Sequence, residues 1–218
     1  IPRPPSSTLF PYTTLFRSLT AFARPQETSS AIPPPVVSVY TSPAAEPWLE
    51  EVYACGAELS VVIRLSASES AADIRLRLGE PKTLSTPAYQ VGSEDLLVVT
   101  NSKNPLQDMT RDEARRLFVQ GGENVELWVY ASSADVQEVF ERDVMLGERI
   151  HPLARLALHP QQILDTLNNG ENAIGILPRR WMNETMRELF RLAGVPVLAI
   201  TPGEPQEAVK GLIACLQK

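Results

Sequence analysis

Val36–Leu65, VVSVYTSPAAEPWLEEVYACGAELSVVIRL, is the stretch whose reading decides the fold. It opens on a short apolar run, Val36–Tyr40, which reads as a β-strand. Thr41-Ser42-Pro43 makes a turn. Pro47 suits the first position of a helix, where a missing N–H is no loss. That helix places Trp48, Leu49, Val52 and Tyr53 on one face and is expected to stop at Gly56, a C-cap residue. Leu59–Leu65 is apolar apart from Ser60 and Arg64 and reads as a second strand. Two apolar strands joined through a helix form a crossover unit, so the expectation is a parallel sheet covered by helices, an α/β protein.

Working outward, Asp73–Gly79 alternates apolar and charged residues and reads as a third, half-exposed strand. Asp95–Thr100 is a fourth. Thr110-Arg-Asp-Glu113 fits a capping box, in which the Thr hydroxyl and the Glu carboxylate each satisfy an orphan N–H at the start of a helix over 110–119. Val125–Tyr130 reads as a strand. Ser132 and Ser133 then open a helix that turns Val136, Val139, Phe140 and Val144 inward. His159-Pro160 starts a further helix, His159 acting as its cap, and Asn168-Asn169-Gly170 ends it. Asn172–Pro178 is strand-like. Met182–Leu192 carries a helical period that Gly194 stops, Val195–Ile200 is a strand, and Pro205–Leu216 closes the chain as a helix. There is no internal repeat.

Composition bounds the function. The 218 residues are 44% hydrophobic and 21% charged, ordinary for a globular protein and enough for two small lobes around a cleft. A net charge of -6 and the lack of a basic run argue against nucleic acid as a partner. With only His151 and His159 as imidazoles and only Cys55 and Cys215 as thiols, no metal-ligand spacing arises, and neither metal nor cofactor is expected. The two cysteines read first as buried free thiols. A disulfide joining the first helix to the last is the alternative. No apolar run reaches the roughly 18 residues of a membrane span. Gly-x-Ser-x-Gly, Walker and Gly-x-Gly-x-x-Gly patterns are all missing, so an enzyme is not expected.

The first residues read differently from the rest. Ser6–Ser18 has neither helical nor strand period, and resembles a translated sequencing-adapter segment. That resemblance implies an artefactual or disordered leader over 1–18. Residues 19–34 are Pro- and Ser-rich and read as a tether. Leu19-Thr-Ala-Phe22 is similar to a lipoprotein acylation site whose Cys position holds Phe22.

Four segments, in this order, resemble the phosphate-type (type II) periplasmic solute-binding family of ABC transporters. Val91–Leu106 is similar to the strand leaving the first lobe, with its Asn104-Pro105 turn. Met109–Gly121 resembles the family's Leu-Thr-x-x-Gln-Leu-x-x-Ile-Phe-x-Gly helix. Tyr130–Phe140 sits where the family has Ser-Gly-Thr-Arg followed by a helix. Asn172–Pro178 resembles the return strand Ala-Ile-Gly-Tyr. The resemblance implies a two-lobed fold, with lobe one from 35–99 plus 178–218 and lobe two from 100–177. Strands would cross near Thr100-Asn101 and near Gly175. It also implies a cleft that closes by hinge motion on a small, anionic, phosphate-like ligand. The protein would then be an extracytoplasmic monomer serving a membrane permease, in uptake or sensing, held to the membrane only through a lipid anchor lost with the natural N-terminus.

Candidate ligand residues follow from helix ends and strand ends. Ser132, Ser133 and Ala134 start a helix directly after a strand, where unpaired N–H groups attract an anion. Serine there is also an ordinary N-cap. The family's Gly is Ser133 here, its Thr is Ala134, and its Arg is unmatched at Asp135, an acidic residue that repels an anion. Thr41 and Ser42 follow the first strand and resemble the other half of the cleft. Arg77 ends the third strand and offers the best oxyanion geometry, although alternation also groups it with Arg75 on a solvated face. Asn101 lies at the expected crossover, or simply makes a turn before Pro105. Two further functions stay open: a degenerate binding-fold module for protein contacts, and the effector-sensing domain of a transcription regulator.

Overall fold

The structure, a computed structural model, describes residues 33–218. The leader over 1–18, the acylation-like Leu19–Phe22 and all but the last two residues of the tether lie outside the described residues.

Eight strands form one mixed sheet in the order β2-β1-β3-β8-β4-β7-β5-β6. β1 (Val36–Thr41) lies between β2 (Val62–Leu65) and β3 (Ile74–Leu78), parallel to both. At the other end β5 (Glu126–Tyr130) runs parallel to β6 (Arg155–Ala157) and β7 (Ala173–Pro178). The two long central strands, β4 (Ala88–Asn101) and β8 (Met186–Ile200), run antiparallel to each other and to their outer neighbours. They belong to both halves of the sheet, so the molecule has two lobes sharing two strands.

The helices cover the sheet as the apolar stripes require. In the first lobe a 3-10 turn (Pro43–Trp48) leads into α1 (Leu49–Glu58), which packs beside the C-terminal α5 (Glu207–Leu216). In the second lobe α4 (Pro160–Asn169) packs on β7, the short α3 (Asp135–Phe140) packs on β5 and β7, and α2 (Arg111–Gln120) packs on the π-helical turn that runs from α3 to Met145. Phe118 of α2 and Phe140 of α3 are fully buried and meet edge to face at 4.8 Å, the geometry that aromatic quadrupoles favour. The capping box at Thr110 and Glu113 forms in both directions. His159 caps α4 by accepting a hydrogen bond from the Gln161 N–H at Nδ1, 3.1 Å.

Several expectations are corrected. Met182–Leu192 is not a helix: from Met186 onward it is the first half of β8, paired with β4 from Asn101↔Met186 to Leu96↔Leu192. Register shifts at Glu94/Leu96 and Val98/Val99 bulge this pairing, so the buried Met186 and Leu189 fall three residues apart and imitate a helical period. Thr100 and Asn101 end β4, and Gly175 lies within β7 between β4 and β5. Gly56 does not end α1, which runs on to Glu58. β2 is an exposed edge strand despite its apolar sequence. Cys55 and Cys215 are not free thiols but a disulfide with Cα atoms 5.9 Å apart, tying α1 to α5.

Candidate functional site

A cleft of about 420 Å³ opens between the lobes, within the usual range for small-molecule sites. The first lobe supplies Tyr40 and Ser42 from the end of β1, Arg75 and Arg77 from β3, and the segment Thr83–Thr86. The second lobe supplies Tyr130, Ser133 and Ala134 beside β5, with Leu158 and Pro160 at the head of α4. Strand alternation explains Arg75 and Arg77: Ile74, Leu76 and Leu78 point into the core, so both arginines share the opposite face, and that face is the cleft wall.

The polar groups differ in how free they are. Arg75 donates from Nη1 to Glu69 Oε1 and from Nη2 to Thr86 Oγ1, both 3.2 Å. Arg77 spans the cleft to Glu138 of α3, Nη2 to Oε2 at 2.8 Å, with both side chains about four-fifths buried. Burial raises the Tyr40 phenol above its ordinary pKa, and the negative charges of Glu69 and Asp135 add to the rise. Tyr130 is pushed up further, by burial first and Asp135 second; its hydroxyl donates to the Ile176 carbonyl at 2.9 Å. Both phenols therefore stay neutral donors near pH 7.

Asp135 occupies the floor. Its Oδ2 accepts from Ser42 Oγ at 2.5 Å and from the Leu78 N–H at 2.8 Å, both in the first lobe. Its Oδ1 accepts from the Val136 N–H at 2.8 Å. The side chain is buried, the residue 7% exposed.

Of the residues singled out from sequence, Ser42, Arg77, Ser133 and Ala134 line the cleft. Thr41, Asn101 and Ser132 do not. Thr41 turns its hydroxyl to the Ser42 carbonyl. Asn101 is buried, donating to the Leu167 carbonyl at the end of α4 and accepting from the Lys103 N–H, so it fixes a turn and a helix end. Ser132 is exposed, because α3 starts only at Asp135 with Ala134 as its N-cap. Neither serine caps it through a side chain. The family-like anion position at Ser132–Ala134 is therefore a turn before a six-residue helix.

Sequence reasoning missed Thr83–Thr86 and Leu158, which carry no motif. It registered Asp135 only as a mismatch to Ser-Gly-Thr-Arg; the mismatch was the available signal.

No protein-family model and no curated protein matches this sequence. Solved structures do. One neighbour is a Clostridium perfringens protein assigned as a phosphate ABC transporter substrate-binding protein with bound phosphate, at 15% identity and TM-score 0.74, covering 83% of this chain and 92% of that one. Another is an ABC-type phosphate transport receptor from Vibrio cholerae, at 12% identity and TM-score 0.59, covering 84% and 94%. A third is the CcmR regulatory domain of Synechocystis in complex with 2-PG, at 12% identity and TM-score 0.61, covering 84% and 95%. The chain accordingly has the two-lobed, periplasmic-binding-protein-like α/β fold. Fold neighbours include both transport receptors and effector domains of transcription regulators.

Proposed function

We propose that this protein is an extracytoplasmic solute-binding protein that captures a small solute in the interlobe cleft, for uptake or sensing, and carries out no reaction on it. The observation that carries this is the cleft itself, about 420 Å³ with walls from both lobes. The lining is both polar, at Tyr40, Arg75 and Ser133, and apolar, at Leu84, Leu158 and Pro160. An anionic or strongly accepting end of the solute meets its positive partner at Arg75, whose ion pair with Glu69 is longer and more exposed than that of Arg77 with Glu138. β4 and β8 are the natural hinge strands, passing between lobes through irregular pairing.

An extracytoplasmic compartment is supported by Cys55–Cys215, since disulfides persist where thiols are not kept reduced. A membrane permease would be the partner in uptake. The second reading, an effector domain of a transcription regulator, is favoured by the regulatory-domain neighbour and opposed by the disulfide.

The test is thermal unfolding of the full chain against acetate, succinate, amino acids, small sugars and short peptides. A true solute at about 100 times its dissociation constant adds about 2.7 kcal/mol. Arg75→Ala with Ser133→Ala is expected to weaken the response at least tenfold in apparent affinity. A response unchanged in that double variant would move the site out of the cleft, and no response to any compound would count against solute capture.

A further inference from the structure

Three features of the cleft floor converge. Two donors of the first lobe, Ser42 Oγ and the Leu78 N–H, point at one position from the ends of separate strands, and a buried carboxylate of the second lobe fills it. The same carboxylate accepts a third bond from Val136. Immediately beside it Arg77 is held against Glu138 at 2.8 Å, and among the described residues its Nε is buried without an acceptor. A constellation of hydroxyl, backbone N–H groups and a guanidinium around a buried negative charge is the chemistry of an oxyanion site. Here the negative charge belongs to the chain.

We propose that Asp135 is a built-in anion: its carboxylate takes the oxyanion-holding donors of the cleft floor, bridges the two lobes as a bound anion would, and so makes the wild-type cleft refuse free inorganic oxyanions such as phosphate. The proposal rests on reading the cleft as the solute site and says which solutes that site rejects. Refusal has two causes. Ser42 Oγ and the Leu78 and Val136 N–H groups are already satisfied, so a second acceptor gains nothing from them. A second negative group beside the buried carboxylate would also be repelled in a medium of low dielectric. The consequence is that specificity is decided by the other polar lining groups, Tyr40, Arg75 and Ser133, which share the cleft with Leu84, Leu158 and Pro160 and suit an organic solute.

Asp135→Ala tests this in the full chain with no organic solute present. The truncation leaves a hole lined by Ser42 Oγ and the Leu78 and Val136 N–H groups, and a small anion restores the lost bonds. In sodium formate or sodium phosphate the unfolding midpoint of Asp135→Ala is expected to rise by about 4 °C or more beyond the rise of wild type in the same salt. Subtracting the wild-type response removes the general stabilisation that excluded salts give. Asp135→Asn, which keeps the hole filled, is expected to show no such excess, and Ser42→Ala combined with Asp135→Ala is expected to lose most of it. If Asp135→Ala fails to fold in chloride, it is refolded in formate: recovery there supports the proposal, and failure in every anion overturns it. Saturable phosphate binding by wild type, read by calorimetry, also overturns it, as does an Asp135→Ala midpoint that tracks wild type in all salts. Because the test needs no cleft solute, its failure leaves solute capture standing. A failed solute screen leaves the anion response to be read by itself.

Discussion

Removing the Cys55–Cys215 disulfide is expected to cost about 3–5 kcal/mol of folding stability. The magnitude follows from the chain. The bond spans 160 residues, and cross-linking a loop of that length removes about 17 cal/mol/K of denatured-state entropy, or about 5 kcal/mol at 25 °C. Measured losses run lower, because real denatured chains keep some structure. Both cysteines are buried, each 8% exposed, so serine replacements would add a small burial penalty and Cys55→Ala with Cys215→Ala is the cleaner variant. For a domain of this size each kcal/mol moves the midpoint by about 2–4 °C, so the double variant should melt roughly 6–20 °C below wild type. Urea unfolding of three samples gives the assay: wild type, wild type with reductant, and the double alanine variant. The two disulfide-free samples should coincide, with a steeper denaturant slope than oxidised wild type, whose cross-linked denatured state exposes less surface. The bond lies between α1 and α5, away from the cleft, so any solute response should survive. Two thiols titrating in denatured, unreduced wild type, or a stability loss under about 1 kcal/mol, would refute the reasoning.

Gly79→Ala is expected to cost about 2–4 kcal/mol in urea unfolding, since φ is +67° and an added Cβ would stand 2.2 Å from Val139 Cγ2. Thr110→Ala should lose about 1 kcal/mol by the same measurement, because the Glu113 N–H loses its acceptor at the start of α2, while the Thr110 backbone N–H keeps its bond to the Glu113 carboxylate. Glu94 is buried beside Trp48, whose indole N–H donates to it at 3.1 Å, and burial raises its carboxyl above the usual range. The folded state thus holds this proton more tightly than the unfolded one. Its contribution to stability is therefore greatest below the unfolded value and falls as pH rises through the folded one. Glu94→Gln keeps an acceptor for Trp48 and should flatten that limb of the stability–pH curve; an unchanged curve would assign the dependence elsewhere. Glu188 runs the other way. The hydrogen bond from Arg191, the largest cause, and that from Arg179 lower it, so its contribution is present above the unfolded value and lost as pH falls through the folded one. Glu188→Gln should remove it, read as a shallower acid limb in thermal unfolding.

The sequence by itself determined the elements whose pattern is local. Val36–Tyr40 needed only an apolar run, and Ile74–Leu78 only its two-residue alternation, which also put Arg75 and Arg77 on one face. Thr110 with Glu113 and His159 with Pro160 marked helix starts through bonds made within three residues. The α/β class, the two lobes and the cleft position of Ser42, Arg77, Ser133 and Ala134 were legible from these together with the family-like order of segments.

Tertiary structure decided what depends on partners far along the chain. β8 became a strand because β4, about ninety residues earlier, offered an unpaired edge; bulged pairing spaces its buried residues as a helix would. Exposure of β2 follows from its place at the rim of the sheet, not from its residues. The disulfide required α1 and α5 to lie side by side. Asp135 looked from its neighbours like a fault in an anion-binding pattern. Only folding brings Ser42 and Leu78 onto its carboxylate, turning a missing arginine into an acceptor that spans the cleft. A buried charge takes its meaning from the donors around it, and two of those donors, Ser42 Oγ and the Leu78 N–H, come from the other lobe.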